Sequence, residues 1–95
     1  MKKDNDFLRG ILDVLPREVQ LRTKLSIAIA KRIEFLMKQQ GLTKKQFAEA
    51  MGRRPSEITK WMSGEHNFTI GTLARLSAFF EQPIIEVVEE KEKNT

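Results

Sequence analysis

Apolar residues recur three and four positions apart along most of the chain, the spacing of one buried helix face. Phe7, Leu8, Ile11, Leu12 and Leu15 form a first set, with Asp4, Asn5 or Asp6 available to cap its start and Gly10 weakening its middle. Pro16 suits the start of a second helix, Glu18 is favourable near its N-terminus, and Gly41 stops it after about Gln40. Within it Ile29, Ile33, Leu36 and Met37 make one stripe. Thr43 and Gln46 match a capping box, so a third helix begins there. Pro55 is a fitting first-turn residue for a fourth, which is expected to end at Ser63-Gly64. Thr69 can cap a fifth, whose Ile70, Leu73, Leu76 and Phe80 keep core spacing. After Pro83 the pattern changes. Ile84, Ile85, Val87 and Val88 are β-branched, which favours a short strand over about Ile84–Glu89, with a further helix as the alternative.

The stretch Thr43 to Ser63, TKKQFAEAMGRRPSEITKWMS, carries the most information. Phe47, Ala48 and Met51 share one apolar face; Ile58, Trp61 and Met62 share another, one helix later. Gly52 stands where the first of these helices must stop and turn, and Ala48, four residues earlier, is small where the two approach. Two short helices joined at such a corner make a helix-turn-helix. Trp61 falls on a core position, so it is read as packing and not as a base-stacking side chain.

Gly41 to Val88 resembles the phage-repressor (Cro/CI-type, XRE) family of helix-turn-helix regulators. The resemblance is carried by GLT at Gly41–Thr43, FAEAMG at Phe47–Gly52, SEIT-KW at Ser56–Trp61, SG at Ser63-Gly64 and the TL-RL run from Thr72 to Leu76. It implies a mainly α, lambda-repressor-like DNA-binding fold: a small five-helix-type bundle, with the expected C-terminal strand as a dimerising element. It also implies that the second helix of the motif enters the major groove. Members often pair an arginine late in the first helix with a glutamate late in the recognition helix. Those positions here are Met37 and Met62, which are therefore expected to be buried together.

Charge supports the same reading. The net formal charge is +4, yet residues 17–67 hold eleven Lys and Arg against five Glu, so the excess lies over the helix-turn-helix and the helix before it. The chain has no cysteine and one histidine, His66, which leaves no disulfide, thiolate metal site or cysteine nucleophile. No Ser/His/Asp set, metal cluster or phosphate loop is present, so an enzyme is not expected, nor a cofactor or a metal. No apolar run approaches the roughly 20 residues that span a membrane, and the expected location is cytoplasmic.

With Ile58, Trp61 and Met62 facing the core, Ser56, Thr59, Lys60 and Ser63 face outward, with Arg54 and Pro55 at the helix start. Lys60 can donate to guanine O6/N7; Ser56 and Thr59 can bond base edges; the Pro55 ring and the Thr59 methyl can meet a thymine methyl. By the resemblance, Arg54, Pro55, Ser56 and Lys60 occupy base-reading positions. Members often carry glutamine at two of them, and Pro55 cannot supply a bidentate amide contact. Phosphate contacts are expected at the rims: Lys44 and Lys45 at a helix N-terminus, Arg53 in the turn, Ser63 at the helix end, and His66 and Asn67 after it.

Three regions follow: 1–28 an apolar extension, 29–82 the DNA-binding unit, and 83–95 a strand or helix with a frayed end. Val19, Leu21, Leu25 and Ile27 exceed what the helix-turn-helix needs to cover it, so they must pack on the Phe7–Leu15 segment, a second copy or another protein. The expected partners are double-stranded DNA and a second copy, joined through the N-terminal segment, the Ile84–Glu89 strand or both. Short members of this family with an apolar extension are often antitoxins that repress their own operon. A toxin held by Met1–Ala28 is the alternative partner.

Overall fold

The structure, a computed structural model, describes residues 9–11 and 13–91. Residues 9–11 and 13 are helical, and four helices follow: α1 Arg17–Gln39, α2 Lys44–Met51, α3 Pro55–Trp61 and α4 Ile70–Phe80. The expected set Phe7, Leu8 and Leu12 lies outside the described residues.

α1 is a 23-residue helix, and its two halves have different surroundings. Its second half buries Ile29, Ala30, Ile33, Leu36 and Met37 in the core. In the first half, Leu21, Leu25 and Ile27 stay exposed and Val19 half-buried, so the described chain does not cover the surplus apolar residues. At its end Leu42 N–H donates to Met37 O at 2.9 Å, turning the chain toward α2.

The core joins α1 to the other three helices through Phe47, Ala48, Met51, Ile58, Trp61, Leu73, Leu76 and Phe80. Phe47, fully buried, sits at its centre with Trp61 edge-on at 6.2 Å, Phe80 stacked at 5.5 Å and Phe79 tilted at 5.7 Å. Such aromatic pairs add to the burial of apolar area and fix relative helix orientation.

Three expectations need correcting. Ile70 is 85% exposed. Periodicity selects a helix face but not how far along the axis a neighbour reaches, and Ile70 is the first residue of α4, ahead of the first buried one, Leu73. Met62 is half-buried beside the core, not inside it; it lines a surface cavity with Ile27, Ala30, Lys31 and Glu34. Ile84–Glu89 is not a strand. Ile84 turns into the core, its N–H donating to Ser77 Oγ at 3.1 Å, and residues 85–91 run without regular structure. A strand needs an edge to pair with, and among the described residues of this helical chain there is none. The segment is instead tied down by Arg32 of α1, whose Nε donates to Pro83 O at 3.1 Å.

Candidate nucleic-acid interface

The interface is built from the corner upward. Thr43 Oγ1 accepts from Gln46 N–H at 3.1 Å while Gln46 Oε1 accepts from Thr43 N–H at 2.9 Å, so the capping box starts α2 as expected. α2 ends at Gly52, whose φ of 67° is left-handed; Arg53 N–H then donates to Ala48 O at 2.9 Å. Arg75 of α4 reaches across to donate to Met51 O, satisfying a second carbonyl at this helix end. Nothing in the local sequence marks Arg75 for this role, because the contact spans 24 residues.

α3 starts with Pro55 at its first position, and Arg54 ahead of it is extended. Glu57 serves both ends of this corner. Its Oε1 accepts from Arg54 N–H at 3.5 Å, and its Oε2 pairs with Arg53 Nη1 at 3.3 Å. The Arg53 guanidinium also stands 5.9 Å from the Trp61 ring. Arg53, in the turn, is therefore half-buried against α3. Its i, i+4 spacing to Glu57 was the available sequence signal.

One face of α3 is anchored by Ile58 and Trp61, both buried, and Trp61 packs on Phe47 and Phe68. The opposite face leaves Arg54, Pro55, Ser56, Thr59, Lys60 and Ser63 exposed together. Lys44 at the start of α2 joins them, its Nζ donating to Thr59 Oγ1 at 3.0 Å. Thr59 Oγ1 itself donates to Pro55 O at 3.1 Å. Ser63 Oγ donates to Lys60 O at 2.7 Å and accepts from Glu65 N–H at 3.1 Å, closing the end of α3. Lys45 and Asn67 are exposed, and His66 is half-buried, edge-on to Phe68 at 4.7 Å.

The loop after α3 is held close to α1. Gly64 is buried with φ 82°, and a Cβ there would stand 3.2 Å from Ile27 Cγ1. Only glycine lets the backbone approach this closely in that conformation.

A seven-residue helix, braced from behind and presenting short polar and cationic side chains, is the second helix of a helix-turn-helix. A family model described as helix-turn-helix matches residues 33–87. The chain belongs to that family, the XRE-type regulators related to Cro and CI. No curated protein and no solved structure gives a match. Among the described residues no helix is long and apolar enough to cross a membrane.

Proposed function

We propose that the protein is a sequence-specific, repressor-like transcriptional regulator that acts as a homodimer in the cytoplasm and reads duplex DNA with Arg54 to Ser63. The observation that carries this is the two-sidedness of α3: Ile58 and Trp61 are buried while Arg54, Pro55, Ser56, Thr59 and Lys60 are exposed on the other side. A face so composed can meet base edges without disturbing the core. Lys60 donates to guanine O6/N7, and the Pro55 ring and Thr59 methyl contact thymine. Lys44, Lys45, Ser63, His66 and Asn67 contact phosphates, and Arg53 joins them when its pair with Glu57 opens. Two copies would place two such helices in successive major grooves about 34 Å apart.

A second reading, an antitoxin that clamps a toxin with residues 1–28 and represses its own operon, draws on the exposed Leu21 and Leu25 of α1, which continue the apolar extension. Co-purification with the product of the neighbouring reading frame tests it.

The test of DNA binding is selection from a random duplex pool, followed by anisotropy titrations over a salt series. A recovered two-fold-related motif and a steep fall of log affinity with log salt are expected. Absence of duplex binding at about 50 mM salt would remove the reading.

A further inference from the structure

The first half of α1 and the segment after α4 carry exposed apolar residues that the fold leaves unused. Leu21 and Leu25 are 44% and 60% exposed, and Val87 and Val88 are 82% and 88% exposed. The two regions meet in one groove, where Leu25 and Arg22 of α1 face Ile85, itself 45% exposed. Around Leu21 and Leu25 the helix surface holds Arg17, Arg22 and Lys24, against one acid, Glu18. Around Val87 and Val88 the segment holds Glu86, Glu89 and Glu90, against one base, Lys91. All of these charged side chains are exposed.

We propose that this composite surface is the dimer interface, with residues 85–90 of each copy laid along the Arg17–Leu25 half of α1 of the other. The inference rests on the homodimer in the functional reading above and gives it a surface. Three considerations select a second copy and this arrangement. A patch with one basic and one acidic half is self-complementary under a two-fold axis, since each half meets the opposite sign. In its own chain the segment leaves Val87, Val88 and Leu25 uncovered, so the contact is not satisfied internally. Pairing the two segments with each other as a two-stranded ribbon would crowd Glu86, Glu89 and Glu90 of both copies together, and like charges on facing strands destabilise.

Charge therefore distinguishes the arrangements by the sign of the response. Sedimentation equilibrium on the full chain is expected to show a dimer. Glu86→Gln with Glu89→Gln and Glu90→Gln is expected to weaken it by about tenfold or more, six exposed pairs being lost across the two-fold. Arg17→Glu with Arg22→Glu and Lys24→Glu should weaken it further. Combining that set with Glu86→Lys, Glu89→Lys and Glu90→Lys should restore it, with helicity by circular dichroism unchanged throughout. Tighter association of the Gln variant would overturn the proposal in favour of segment-on-segment pairing. A charge-swapped chain that stays monomeric, or a wild-type chain monomeric at high micromolar concentration, would also overturn it. A monomer that still binds duplex DNA removes this interface alone. A dimer that binds none removes the DNA-binding reading and leaves the interface standing.

Discussion

Lys44 at the start of α2 and Thr59 in the middle of α3 are joined by a 3.0 Å hydrogen bond, with the lysine donating. The Thr59 hydroxyl proton is already given to Pro55 O, so toward a ligand this oxygen can only accept. The Lys44 ammonium is thereby held over the outward face of α3. Lys44→Ala is expected to weaken all duplex sequences alike and lower the salt slope by about one. Thr59→Val should weaken binding less, and adding it to Lys44→Ala should cost nothing further. Anisotropy titrations of the four proteins over a salt series measure this coupling.

Lys60 has a different signature. Among the described residues its side chain forms no hydrogen bond, and it lies on the exposed face. Lys60→Ala is expected to cost about 1–3 kcal/mol at one base pair and to relax preference there, while binding to unrelated duplex falls much less. Competition titrations against single-base variants of the selected site would detect this.

The two left-handed glycines should respond unequally. At Gly52 an added Cβ would meet only Arg75 Nη2 at 3.7 Å, an ordinary contact, so Gly52→Ala should cost about 1–2 kcal/mol from backbone strain alone. At Gly64 the same strain is joined by the 3.2 Å approach to Ile27, so Gly64→Ala should cost more. Ile27→Ala should recover part of that excess. Urea melts of the single and double variants check the order.

Ile70 and Leu73 share a helix face by spacing but not by surroundings. Ile70→Ser, at an 85% exposed site, should change stability by less than about 0.5 kcal/mol. Leu73→Ala, at an 8% exposed site, should cost about 2–5 kcal/mol. Thermal denaturation of both variants would expose any error in the placement of the start of α4.

Most of the helical framework was legible because its signals are local. The Thr43–Gln46 box, Gly52, Pro55 and the Thr69 cap each act within four residues, and each does in the structure what its residue type predicts. The stripe Ile29, Ile33, Leu36 and Met37 was legible for the same reason. What sequence reasoning missed depends on distant partners. Arg75 satisfies a carbonyl 24 positions away, Arg32 holds Pro83 across 51, and Phe79 and Phe68 pack on the core from the flank of α4 and from a loop. Within the described chain Ile84–Glu89 forms no strand, because β-branching describes a residue's preference and this helical fold offers it no edge of its own.

The support of α3 and its outward face are chemically separate. What holds the helix in place is Ile58, Trp61, Phe47 and the Glu57 contacts, whereas the side chains of Ser56 and Lys60 take no part in that framework. Replacements at these outward positions therefore leave the scaffold's stability nearly untouched. On the proposed reading, a new operator can be acquired by changing what the helix displays, one residue at a time, without the protein first having to survive a weakened fold.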